Sequence, residues 1–250
     1  MIRNVILMAT SGLVLFSKEF VNSVAQPRLI GSLLTAMIEF SQQTSGMMVS
    51  YIELSNVAVT IVVNDVAKVF CALFHDRDDG CAFGRLICSE ILTAFTQEFA
   101  SDLNSFGLNL RDFHGFHNKI ADVIRNSVRP VLKQLQSNKG ILKALLVTED
   151  GNVASPNDDI DQLGVLANLQ ALTGLCTDIM ATVDDDCIHI MLDSTNNTKL
   201  LLWRIQERSL LIVVVSKTVP SQKYRLAIEE ALDTIEQVCL LMSNLHLVSR

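Results

Sequence analysis

"NVILMATSGLVLFSKEF", residues 4–20, places an apolar run before a small-residue break at Thr10-Ser11-Gly12 and a second apolar run after it. Three readings compete for this stretch. A secretory leader needs an unbroken apolar core followed by a small-x-small cleavage site, and neither is present, so no cleaved leader is expected. A phosphate-binding mouth needs a GxxxxGK[ST] or GxGxxG pattern, and neither occurs anywhere in the chain. The third reading is a β-hairpin, with Ser11-Gly12 supplying the positive-φ residues of a tight turn. "KALLVTEDGNVAS", residues 143–155, repeats the same device around Glu149-Asp150-Gly151.

After the first hairpin, Pro27 opens a segment with Leu29, Ile30, Leu33, Leu34, Met37 and Ile38 at helical spacing, closed by Gly46. "MMVSYIEL", "VAVTIVV" and "AKVFCALF" then read as a three-strand meander with breaks at Ser55-Asn56 and Asn64-Asp65. "HDRDDG" (75–80) reads as a polar loop. Phe83, Ile87, Ile91, Phe95 and Phe99 recur every four residues and predict a helix. A further helix is predicted over 112–136, kinked or jointed by Pro130. "SNKG" (137–140) is the expected boundary, giving modules at 1–137 and 138–250.

The second half repeats the order. "ILKALLVT" and "NVAS" form its hairpin. Asn157 and Asp158 are placed to cap a helix bearing Ile160, Leu163, Leu166, Leu169 and Leu172. "CIHIMLDS", "TKLLLWRIQ" and "SLLIVVVS" are strands, and a last helix spans about 221–243. The fold class is therefore α+β: two modules, each a five-stranded antiparallel sheet backed by helices. Helices on one side would leave an open sheet face as well as open edges.

The totals narrow the function. Of 250 residues, 49% are hydrophobic and 19% charged, an apolar balance. No run reaches the roughly 18 apolar residues of a membrane span, so the excess points to covered sheets or to surfaces held against partners. A net charge of −7 with scattered Lys and Arg argues against nucleic acid and against a polybasic membrane patch. Six cysteines without a CxxC pair, mostly in apolar segments, read as reduced thiols of a cytosolic protein. The Asn196-Asn197-Thr198 sequon would then be idle.

No catalytic set emerges. "HDRDDG" and "DDD" (184–186) lack EF-hand ligand spacing and sit at breaks where solvated Asp is expected. His114 and His117 lack a third ligand, and His189 alternates with Ile188 and Ile190 in a strand. Trp203 reads as packing, and no nucleophile elbow is present. No cofactor or metal is expected, and enzymatic activity is disfavoured beyond a share in nucleotide exchange.

The first-half order β-β-α-β-β-β-α-α resembles the longin domain, over residues 1–137. The residues carrying it are "ILMATSGLVLFSKEF", "LIGSLLTAMIEF", "YIELSNVAVTIVV", "KVFCALFHDRDDG" and "LICSEILTAFTQEF". From residue 140, "LLVTEDGNVAS", "IHIMLDS", "KLLLWRIQ" and "LLIVVVS" resemble the roadblock module. As a tandem the chain resembles the multi-longin exchange-factor subunits of membrane traffic and the planar-polarity Fuzzy family, with two modules where those carry three. The resemblance implies a non-catalytic subunit of a membrane-trafficking or ciliary complex, cytoplasmic and peripherally recruited to membranes. It implies pairing with another longin or roadblock protein and a platform for a small GTPase, with aid to nucleotide exchange as a further expectation. Alternatives are an adaptor- or coat-like subunit without GTPase contact, and a ligand-sensing module.

In such modules edge strands meet across a dimer while the first helices pack alongside. Here the edges would be "MMVSYIEL" and "CIHIMLDS", and the helices 28–42 and 158–174. The expected partner-binding residues are Leu33, Met37, Met48, Ser50 and Ile52 in the first module, and Leu166, Ile188 and Ile190 in the second.

Overall fold

A computed structural model of the chain describes residues 1–21, 26–103, 110–148, 152–156, 163–205 and 209–248. The chain divides into two compact units, Met1–Ser127 with Leu240–Arg250, and Val128–Cys239.

The first unit opens with β1 (Ile2–Ala9) and β2 (Val14–Glu19). Gly12, at φ 88°, makes their turn: its N–H donates to the Ala9 carbonyl and the Ala9 N–H donates to Leu13. The hairpin expected at residues 4–20 is thus present. Then come α1 (Pro27–Ser45), β3 (Tyr51–Glu53), β4 (Val57–Asn64), β5 (Val69–Asp76), α2 (Gly80–Glu98) and α3 (Ala100–Leu103). A 3₁₀ segment (Leu110–Asn118) and α4 (Ile120–Asn126) complete it. The sheet order is β2-β1-β5-β4-β3, with every pair antiparallel.

Strand alternation sends neighbouring side chains to opposite faces. Ile6, Met8, Val59, Ile61, Phe70 and Ala72 form one face and pack against Leu34 and Ile38 of α1. Thr60 and Cys71 alternate with that set, and α2 lies over them, with the Cys88 thiol 3.2 Å from the Cys71 carbonyl. Both faces of this sheet are therefore covered. The open face expected from the sequence is absent, because α1 and α2 flank the sheet rather than sharing a side.

Two further differences are local. His75 is not in a polar loop but is the buried end of β5, fully shielded from solvent. Its Nδ1 donates to the Asp76 carbonyl at 2.9 Å, so Nε2 accepts from the Thr60 hydroxyl at 2.9 Å. Gly84 permits this: a Cβ there would fall inside van der Waals contact with Thr60 Oγ1 and His75 Nε2. The helix predicted over 112–136 is three pieces: the 3₁₀ segment, α4, and α5 (Val128–Gln136) in the second unit. Pro130 imposes the last joint, because its ring crowds the carbonyl four residues back at Asn126. The chain breaks at Ser127, whose hydroxyl donates to the Ile124 carbonyl at 2.6 Å.

The second unit continues from α5 with β6 (Ile141–Val147), β7 (Val153–Ala154), α6 (Leu163–Ala181), β8 (His189–Asp193), β9 (Thr198–Ile205) and β10 (Ser209–Ser216). A 3₁₀ turn (Ser221–Lys223) leads into α7 (Arg225–Val248), of which the part up to Cys239 belongs to this unit. Its sheet order, β7-β6-β10-β9-β8, reproduces the first unit's strand for strand. Val147, Leu202, Leu210 and Ile212 pack with Leu169 of α6. Ala144 and Leu146 point away from that cluster and are fully buried, and α5 packs along the same strand. The expected turn at Gly151 and cap at Asn157-Asp158 lie outside the described residues. The hairpin itself is fixed by Leu146↔Ala154 and Val147↔Val153 pairing.

Candidate partner-binding faces

α1 carries two apolar stripes. Ile30, Leu34 and Ile38 face the sheet core. Displaced by one residue, Leu29, Leu33, Met37 and Phe40 fall within an arc of about 80° at roughly 100° per residue. All four are exposed, Leu33 at 59% and Phe40 at 69%. A single surface helix needs one such stripe for its own core, so the second has no partner within the unit. Met47 and Met48 extend it past the helix end, both exposed.

β3, whose Ile52 packs against the same core cluster as Leu34 and Ile38 of α1, is an open edge of the sheet. The Ile61 N–H donates to the Ser50 carbonyl at 2.9 Å, and the Leu54 N–H donates to Val57 at 2.8 Å. Ser50, Ile52 and Leu54 therefore spend their backbone groups on β4, and alternation turns those of Tyr51 and Glu53 outward. Ile52 is half-buried against the core, while the Ser50 residue is exposed. Burial and then the Glu53 charge push the Tyr51 hydroxyl above its usual range.

The second unit repeats this arrangement. Leu175 and Ile179 stand exposed one turn apart on α6, and Val183 follows. In β8 the Ser194 N–H donates to Thr198 at 3.0 Å, so Leu192 and Ile190 bond toward β9 while His189, Met191 and Asp193 face the open side. Ile188 is 74% exposed just before the strand, and Ile190 is half-buried against the core. Leu166 lies in α6, its side chain outside the described residues.

Each open strand ends in an ion pair. Glu53 bonds Arg77 beside β3, and Asp193 meets Lys217 at 3.0 Å beside β8. The Lys217 hydrogen bond holds the Asp193 carboxyl below the ordinary aspartate range. Charges at sheet edges discourage indiscriminate strand addition, which leaves a complementary partner as the favoured occupant.

The sequence reading named Leu33, Met37 and Met48 on the first face, all exposed here, but missed Leu29, Phe40 and the outward backbone of Tyr51 and Glu53. The 4-4-3 spacing of Leu29, Leu33, Met37 and Phe40, offset by one from Ile30, Leu34 and Ile38, carries the signal. On the second face it missed Leu175, Ile179, Val183 and Met191. Among the described residues no cluster of His, Cys, Asp or Glu could hold a metal, and no helix is long and apolar enough to cross a membrane.

No protein-family model matches the chain, and no curated protein matches it. Solved structures do. The chain is similar to MglB of Myxococcus xanthus at 15% identity, with a TM-score of 0.40, covering 44% of this chain and 93% of that one. It is similar to the gliding protein mglB of Thermus thermophilus at 18% identity, with a TM-score of 0.38, covering 45% and 87%. A roadblock/LC7 domain from Streptomyces avermitilis gives 14% identity and a TM-score of 0.40, covering 45% and 97%. Both units share one strand order, a five-stranded antiparallel sheet backed by helices.

Proposed function

We propose that the chain is a non-catalytic interaction subunit, with modules at 1–137 and 138–250, that pairs with another longin- or roadblock-type protein. The single observation carrying this is the repeated combination, on one module, of an unpartnered apolar helix stripe and an open, charge-guarded edge strand. α1 and β3 supply it once, and α6 and β8 supply it again. Apolar burial drives such pairing, and strand-to-strand bonding fixes its register. In the first module the pairing surface comprises Leu33, Met37, Met48, Ser50 and Ile52, joined by Leu29 and Phe40. In the second it comprises Leu166, Ile188 and Ile190, joined by Leu175 and Ile179.

The paired assembly then forms a platform for a small GTPase in a trafficking or ciliary complex, recruited peripherally to membranes from the cytoplasm, and aids nucleotide exchange there. What supports this finer reading is the tandem of two such modules.

Affinity purification of the full chain with identification of bound proteins tests the pairing. Recovery of a stoichiometric longin or roadblock protein is expected; a chain that purifies alone as a monomer contradicts it. Pull-down against nucleotide-free and GTP-loaded small GTPases tests the platform. An exchange-assisting complex binds the empty form more tightly, and a complex that retains no GTPase in either state removes that part.

A further inference from the structure

The first sheet has a second open edge, on β2, remote in strand order from β3. Along it lies a cavity of about 370 Å³ lined by the four consecutive residues Val14–Ser17, by Pro27 at the start of α1, and by His114 and His117. The Phe20 N–H donates to the Arg3 carbonyl at 2.9 Å, so Phe20, Lys18 and Phe16 bond toward β1. Alternation then turns the amide and carbonyl of Ser17 to the open side, where Ser17 lines the cavity. An unpaired donor and acceptor thus face a slot flanked by apolar side chains.

One cation, Lys18, lies beside the slot. The Lys18 ammonium donates to the His117 carbonyl at 3.1 Å. The His114 and His117 rings stack at 6.1 Å, and His117 lies 4.5 Å from the Phe16 ring. Among the described residues no carboxylate forms an ion pair with Lys18, His114 or His117. Burial, and after it Lys18 and His114, hold the His117 proton affinity below its usual value.

We propose that the β2 edge takes an extended acidic peptide segment of a partner protein as a sixth strand, with its backbone bonded to Ser17 and a carboxylate set against Lys18 and the histidine pair. Strand addition supplies affinity through main-chain bonds, and the pocket selects the side chain. The complementary charge selects Glu or Asp over Lys. This site is independent of the α1–β3 pairing surface, so either can fail without the other.

Fluorescence anisotropy on the full chain tests it, using labelled hexapeptides of alternating Val and Glu, the Val-Lys counterpart, and a Val-Glu peptide N-methylated on alternate backbone amides. The Val-Glu peptide is expected to bind saturably, the Val-Lys peptide about fivefold or more weakly, and the methylated peptide not at all. Amide shifts in the NMR spectrum should centre on Val14–Ser17. Lys18→Gln should weaken the Val-Glu peptide and narrow or abolish its advantage over the Val-Lys peptide; if that variant does not fold, the peptide comparison on the unaltered chain decides. Equal binding of Val-Glu and Val-Lys, undiminished binding of the methylated peptide, shifts centred on β3, or no saturable binding at millimolar peptide each overturn the proposal.

Discussion

Leu33 and Leu34 are neighbours in α1 with opposite surroundings, and their substitution separates association from folding. Leu33 is 59% exposed and Leu34 is 3% exposed. Fully burying a leucine side chain is worth about 1.5–3 kcal/mol. Covering the exposed share of Leu33 on pairing therefore contributes about 1–2 kcal/mol, and an Asp there adds the desolvation of a carboxylate. Leu33→Asp is expected to weaken partner binding by at least about tenfold. Its effect on folding stays within about 0.5 kcal/mol, as for most surface changes. Leu34→Ala removes a core side chain and should cost about 2–5 kcal/mol of stability. Urea unfolding of the chain alone, beside sedimentation of the affinity-purified complex, reads both quantities. Leu33→Asp that destabilises the chain as Leu34→Ala does, or that leaves the complex at native affinity, refutes the assignment of that stripe to a partner.

Three other outcomes follow from particular contacts. Gly84→Ala should cost about 1–3 kcal/mol in urea unfolding, since the added methyl meets Thr60 and His75; an unchanged midpoint contradicts the packing described. Burial lowers the His75 pKa from its usual 6.5, so below about pH 6.5 the unfolded chain binds protons that the folded chain does not. Stability should therefore be intact above that pH and fall as the medium is acidified through it. Urea midpoints at pH 7.5, 6.5 and 5.5 that stay level or rise contradict this. Leu175→Asp with Ile179→Asp should weaken an α6-dependent association and leave binding through α1 unchanged, measured by pull-down beside Leu33→Asp; loss of both associations together contradicts two separate faces.

The strand order was legible because each sheet is built from short apolar runs separated by Ser-Gly, Ser-Asn, Asn-Asp or Glu-Asp-Gly breaks, and such punctuation survives without tertiary information. What escaped depends on contacts made at a distance. His75 looked solvated beside Asp76, Asp78 and Asp79, yet Thr60 and Gly84, contributed by two other elements, make its burial possible. Pro130 announced a joint, but the break lies three residues earlier because the crowded carbonyl is the one four residues back. β3 is only three residues long where eight were expected, since residues 47–49 precede the ladder and Ser50 and Leu54 meet β4 only through the hydrogen bonds at its two ends. The open face was wrong for another reason: periodicity shows that a helix has an apolar side but not which side of the sheet receives it. The partner stripe on α1 was half visible, because one helix with apolar residues over more than half its circumference offers no internal rule for dividing core from interface.

The central claim is that α1 with β3, and α6 with β8, are covered by a partner. Hydrogen exchange on the affinity-purified complex and on the chain alone addresses it most directly. The account predicts slowed exchange in the complex at the Tyr51, Glu53, Met191 and Asp193 amides and along the α1 and α6 helices. Exchange that is unchanged at those strands and helices while other surfaces gain protection contradicts it.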